Sequence, residues 1–151
     1  IAGMLLMHIQ DEEKVFWCLV SVLKRSGWRT IYTPEMPKLM ELIDIVEEEL
    51  KAKWPRLADH LERENFTVGA AFSPLFITLY IYQIEHQHAM RIFEFFILDG
   101  EDSLLRILYR LIDLKADKIC ELQEMALMSY LRTDLINECI SEYGMVYLLD
   151  Y

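Results

Sequence analysis

Glycine and proline are scarce, five and four in 151 residues, too few for the turns of a many-stranded sheet. Good helix formers such as Leu, Glu, Met, Lys and Arg are plentiful by comparison, so the chain reads as all-α. Cysteine is scarcer still: Cys18, Cys120 and Cys139 are odd in number and far apart, with no C-x-x-C and no His at zinc-ligand spacing. They read as buried free thiols in a reducing compartment, most simply the cytosol. Basic charge is in deficit, 15 Lys and Arg against 25 Asp and Glu, a net charge of −10. Such a surface repels phosphate backbones and anionic lipid, and no basic patch compensates, so a nucleic-acid partner is not expected. Long apolar runs are missing too. The apolar stretches 75–82 and 93–98, the second interrupted by Glu94, fall far short of the roughly 20 residues of a membrane-spanning helix, and no signal-peptide pattern opens the chain. With 54% hydrophobic residues, what remains is a chain able to bury a core.

Catalytic motifs are equally absent. No G-x-S-x-G elbow surrounds Ser21, Ser73, Ser103, Ser129 or Ser141, and no Gly-rich phosphate cradle occurs. Glu85-His86-Gln87-His88 offers two imidazoles, but on a helix they point about 200° apart and cannot share a metal. His8 and His60 are isolated and read as structural or surface histidines. Asp99-Gly100-Glu101-Asp102 lacks the ligand order of a calcium loop and is explained by helix capping. No catalytic residue, metal or cofactor is therefore expected. Met4, Met7, Met36, Met40, Met90, Met125 and Met128 read first as core filling, with an adaptable groove as the other reading.

Hydrophobic periodicity predicts about eight short amphipathic helices in one domain, residues 1–151. A first helix covers 1–9. Asp11 is placed to cap a second, running to about Ser26, with Val15, Phe16, Leu19, Val20 and Leu23 as its inward stripe, Lys24-Arg25 at its end and Gly27 as its stop. Residues 28–37, with Thr30, Thr33, Pro34 and Pro37, form the main loop. Helices follow at 38–53 and, after the Trp54-Pro55 boundary, at about 55–64. Residues 66–72 read as a connection pivoting on Gly69. A very apolar, central helix then starts at Ser73-Pro74 and carries Leu75, Phe76, Leu79 and Tyr80. A helix over 83–96 ends at Asp99-Gly100, and Asp102 or Ser103 caps the next, which runs to about Asp113. The last two are 117–128 and, capped by Thr133, 133–143.

Several of these segments resemble, in order, motifs of one family. Ile1-Ala2-Gly3-Met4-Leu5-Leu6 is similar to the helix after a Tyr-x-Gln-Gly-Met motif, and Glu12-Glu13 with Val15-Phe16-Trp17 is similar to the acidic-then-Phe-Trp helix that follows it. Tyr32-Thr33-Pro34-Glu35-Met36 and Pro55-Arg56-Leu57-Ala58-Asp59-His60-Leu61 resemble its loop and its Pro-x-Leu-x-x-His-Leu element. Phe76-Ile77-Thr78-Leu79-Tyr80 and Arg91-Ile92-Phe93-Glu94-Phe95-Phe96-Ile97-Leu98-Asp99-Gly100 resemble Phe-Leu-Thr-Leu-Phe and Arg-Ile-Trp-Asp-x-Phe-Phe-x-x-Gly. The family is the TBC domain of Rab GTPase-activating proteins, and the resemblance is to its C-terminal half. Phe93 stands where the family usually has Trp, Glu94 where it has Asp, Leu75 where a Trp commonly precedes the Phe, and Ile84-Glu85 where Leu-Pro is usual. Neither the Ile-x-x-Asp-x-x-Arg motif nor the Tyr-x-Gln motif occurs in residues 1–151.

The resemblance implies the C-terminal lobe of a regulator of Rab GTP hydrolysis, without an autonomous active site. By family, an arginine and a glutamine supplied in trans stabilise the transition state, arginine fingers being worth roughly 10³ to 10⁵ in rate in such systems. Both would precede Ile1. The implied partners are a Rab-family small GTPase and the N-terminal half of its own domain, and the implied location is cytoplasmic, peripheral to endomembranes. Tyr32, Thr33, Pro34, Glu35 and Met36 are the candidate partner-binding residues, since an aromatic and a Met sit among prolines outside any helical stripe. The other reading of Tyr32 is that it covers the core edge. The alternative function is a non-catalytic helical scaffold or adaptor that binds a small GTPase or a partner helix.

Overall fold

A computed structural model describes residues 1–150, apart from the side chains of Arg25 and Ser26. Tyr151, the last residue of the expected domain, lies outside the described residues, as do the side chains of Arg25 and Ser26 expected at the end of the second helix. The fold is all-α. Among the described residues there are ten α-helices and no strand; eight of the helices have seven or more residues.

Helix α1 (Ala2–His8) leads into α2 (Glu12–Lys24), where the Asp11 carboxylate accepts the Lys14 N–H at 3.1 Å, the cap the sequence predicts. The expected inward stripe of α2 holds for Val15, which is buried, and for Leu19 and Leu23, which pack partly buried against the core, and is corrected at Phe16, which faces solvent. Gly27 has φ +69 but does not begin a long loop. A 3₁₀ segment (Arg25–Tyr32) occupies half of the expected loop, because Trp28 and Ile31, three residues apart, share one edge of it and are both buried.

Helices α3 (Pro37–Lys53) and α4 (Pro55–Arg63) match expectation, each with proline in its first turn, where the missing N–H costs nothing. The connection expected at 66–72 is instead mostly helix. Thr67 caps α5 (Val68–Thr78) by accepting the Ala70 N–H at 3.1 Å, so Gly69 lies inside a helix. Helix α5 stops at Thr78 because Leu79 and Tyr80 turn left-handed, at φ 51 and 62, while both stay buried. The Tyr80 hydroxyl donates to the Leu104 carbonyl at 3.2 Å and anchors that turn to the core.

After the turn come α6 (His86–Asp99) and α7 (Glu101–Glu121), with Gly100 at φ 71 joining them. Gly100 itself holds the cap position of α7, in place of the expected Asp102 or Ser103; the Ser103 hydroxyl donates back to the Gly100 carbonyl at 2.7 Å. The break expected near Asp113 is absent, since residues 113–117 contain neither glycine nor proline. The chain pauses instead at Leu122 and Gln123, within the helix expected at 117–128. Helix α8 (Glu124–Ser129) passes through a π turn (Tyr130–Asp134) into α9 (Leu135–Tyr143), so Thr133 lies inside the π turn and caps nothing. Helix α10 (Met145–Leu149) closes the described chain. The longest helix, α7, is the hub. It touches α4, α6, α9 and α10 and buries Leu104, Ile107, Leu108, Leu111 and Ile112, whereas α5 packs on α3 at one side.

Candidate partner-binding surface

Tyr32 and the turn that follows it form one exposed corner between α2 and α3. Tyr32 is 47% exposed, and its hydroxyl donates to the Ile77 carbonyl at 2.7 Å, which ties the corner to the end of α5. Burial of the rest of the side chain pushes its hydroxyl above the ordinary 10.0, with Trp28 opposing. The Thr33 hydroxyl donates to the Thr30 carbonyl at 3.0 Å, and the Thr33 carbonyl accepts the Met36 N–H at 3.0 Å. Pro34, Glu35 and Met36 are exposed. Glu35 and Met36 have φ 67 and 44, a left-handed pair without glycine. Such geometry is costly for residues with a Cβ, and it turns Met36 outward, 45% exposed, at the foot of α3.

The five residues are thus contiguous, with Tyr32 anchored and Met36 projecting. Tyr32 also borders an apolar groove of about 670 Å³ lined by Leu19, Leu23, Ile77, Ile81 and Tyr82. Met40 is 53% exposed, and Met7 and Met125 are exposed as well, so core filling is corrected for these methionines. Met4 is buried.

A second surface was hidden in the sequence. On α1 and α2, Leu6, Met7, Phe16 (56% exposed) and Trp17 (60%) face outward, with the two rings edge-on at 5.3 Å. Helix α2 is apolar over too wide an arc for one core to cover, and that width is the signal that could have found the surface. Behind α2 lies an apolar cavity of about 280 Å³ lined by Leu5, Ile9, Cys18, Val22, Phe93 and Phe96.

The remaining polar groups serve the scaffold. His86 stacks on His8 with ring centroids 4.9 Å apart, and His8 Nδ1 lies 3.0 Å from the Met4 carbonyl. His60 is buried against the Leu122 carbonyl at 2.8 Å, holding α4 to the end of α7. All three cysteines are free thiols; Cys139 is buried, and burial pushes it up to about 11. Lys115, nearly buried, donates to Glu138 and Glu142 at 2.6 Å each, and Lys118 also donates to Glu138. Those two hydrogen-bonding lysines hold the Glu138 carboxyl down at about 2. Among the described residues no three or more His, Cys, Asp or Glu gather as a metal site, and no helix is long and apolar enough to cross a membrane.

The family model for the Rab-GTPase-TBC domain matches residues 1–120. The chain is 27% identical to the GTPase-activating protein GYP5 of Saccharomyces cerevisiae over 137 residues, covering 91% of this chain and 15% of that protein. It is 25% identical over 135 residues to TBC1 domain family member 2B of Xenopus tropicalis, covering 87% of this chain and 14% of that protein. With the Ecotropic viral integration site 5 ortholog of Drosophila melanogaster it shares 24% identity over 139 residues, 89% of this chain and 17% of that protein. The chain therefore spans only a small part of the length of these relatives.

Proposed function

The chain belongs to the Rab-GTPase-TBC domain family, and from that membership we propose that it is the C-terminal lobe of a GTPase activator for a Rab-family small GTPase. The observation that carries this reading is the family match over residues 1–120. Within it, the lobe contributes no catalytic group. The arginine and glutamine that stabilise the hydrolytic transition state come from the N-terminal half of the domain, and α1 continues from the segment that carries the glutamine. The exposed Leu6, Met7, Phe16 and Trp17 support this division, because an apolar, aromatic face of this kind suits burial against that other half. The Tyr32–Met36 corner offers the GTPase a rigid aromatic anchor and an adaptable thioether. The activity belongs to the cytoplasmic periphery of an endomembrane.

The test is a GTP-hydrolysis assay over a panel of purified Rab GTPases. The 151-residue chain alone is expected to leave the rate unchanged, and the same chain joined to an N-terminal half with both motifs is expected to raise it by several orders of magnitude. Stimulation by the isolated chain would contradict the missing-finger assignment. Binding by the joined form without any stimulation would instead establish the adaptor role.

A further inference from the structure

The groove beside Tyr32 is set between two left-handed turns that lack glycine. One is the Glu35–Met36 pair that closes the Tyr32 corner. The other is the Leu79–Tyr80 pair that ends α5, and the chain leaves it through Ile81 and Tyr82, which line the groove. The hydrogen bond from the Tyr32 hydroxyl to the Ile77 carbonyl at 2.7 Å joins the two, and the Tyr80 hydroxyl fixes the second to α7 through the Leu104 carbonyl. Backbone strain of this kind persists only where the surroundings hold it, and it gathers at ligand clamps. None of the side chains lining the groove is charged, and Tyr82 among them is 86% exposed, so its ring buries little within this chain.

Position narrows the choice of occupant. Leu19 and Leu23, which line the groove from α2, follow Phe16 by three and seven residues, so the groove borders the face assigned above to the N-terminal half. Ile1 lines it as well. In the Rab-activator reading the glutamine lies a few residues before α1. A chain advances at most about 3.6 Å per residue, which puts that glutamine within roughly 20 Å of the groove. A small domain is about 30 Å across, so a GTPase that brings its nucleotide to the glutamine reaches this edge of the lobe.

We propose that the groove docks the small GTPase beside its bound nucleotide and receives an apolar side chain of the GTPase between Tyr32 and Tyr82. This assignment rests on the Rab-activator reading above and names the surface of the lobe that its partner covers. An uncharged lining selects an apolar segment, because a charged group there would lose its water without gaining a partner. The hydrogen-bonded turns hold the groove in shape beforehand, so little ordering accompanies binding.

The test uses the chain joined to an N-terminal half with both motifs and follows GTP hydrolysis as the concentration of a responsive Rab GTPase is varied. Tyr82→Ala is expected to raise the KM for the GTPase about tenfold while kcat stays within about twofold, since neither finger is touched. Tyr82→Phe, which keeps the ring, is expected to bring KM back. Leu98→Ala, a truncation of a likewise exposed apolar side chain on α6, is expected to leave KM unchanged. An unchanged KM for Tyr82→Ala, or an equal rise for Leu98→Ala, overturns the assignment. A photoreactive phenylalanine analogue at position 82 identifies the occupant in the complex with GTPase loaded with a non-hydrolysable GTP analogue. Crosslinks to the GTPase are expected; crosslinks to the N-terminal half, or to neither, overturn the groove assignment and leave the activator reading in place. If the joined chain neither binds nor stimulates any GTPase on the panel, that reading falls and the groove assignment with it. Thermal melts of the three variants are expected to match the unmodified chain, because Tyr82 and Leu98 are exposed, and exclude misfolding as the cause of a change in KM.

Discussion

Phe93 stands where the TBC pattern usually carries tryptophan, and its ring is buried 6.5 Å from that of Phe96, which meets Trp28 edge-on at 4.8 Å. The smaller ring lies beside the 280 Å³ apolar cleft between α2 and α6, which opens to the surface past Ser21 and Ile97. The ring itself is buried, so truncation removes core contacts, and Phe93→Ala is expected to cost about 3 to 5 kcal/mol in urea unfolding. An unchanged midpoint would place the ring outside the core. Gly69 behaves oppositely. It sits inside α5, and a methyl group there would meet Ser73, Ile43 and Thr67 no closer than 3.8 Å, an ordinary contact. Gly69→Ala is expected to stabilise by about 0.5 to 1 kcal/mol, chiefly by restricting the unfolded chain. A lowered melting temperature would show that α3 and α5 approach too closely at that point.

At the scale of elements, helices with a one-sided stripe and a proline start were legible. Leu39, Leu42, Ile43, Val46 and Leu50 of α3 are all buried, as their spacing predicts. Misreadings arose where a local breaker was outvoted or where none existed. Gly69 suggested a pivot, but the Thr67 cap and the contact of α5 with α3 keep the helix whole. Asp113 suggested an end, yet α7 continues because its later turns are held through Lys115 to α9. That link makes the α7–α9 contact sensitive to acid. The folded Glu138 carboxyl sits at about 2 against an ordinary 4.5, so its contribution is fully present above pH 4.5 and is lost as pH falls toward 2. Glu138→Gln is expected to flatten the stability curve between pH 5 and about 2 while lowering stability at pH 7. Unfolding measured across that range would count against the link if the slopes of variant and unmodified chain coincide.

For the molecule as a whole, the clearest feature is how unevenly it is finished. Around α7 the core is closed, with Leu108, Leu111 and Ile112 fully buried, while α1 and α2 leave Phe16 and Trp17 in solvent. Of the three tryptophans, Trp28 is fully buried, Trp54 is half-buried with its indole N–H donating to Asp113 at 2.9 Å, and Trp17 is exposed. Acrylamide is therefore expected to quench mainly Trp17 fluorescence in the isolated chain, and Trp17→Phe to remove most of the quenchable signal. On the proposal that an N-terminal half of the domain covers this face, adding that half is expected to protect Trp17 and shift its emission to the blue. Equal quenching with and without that half would show that the α1–α2 face is not the seam. The amino-acid order alone determined the all-α class, the ordered family motifs and most helix starts, because these depend on local periodicity, capping and the geometry of proline. Only the tertiary structure decided which apolar face stays uncovered, that residues 25–32 coil around Trp28, and that Tyr32 and Tyr82 line one groove. Those outcomes depend on which surfaces meet across the fold, and a helix that is apolar nearly all round does not itself specify which side the core will take.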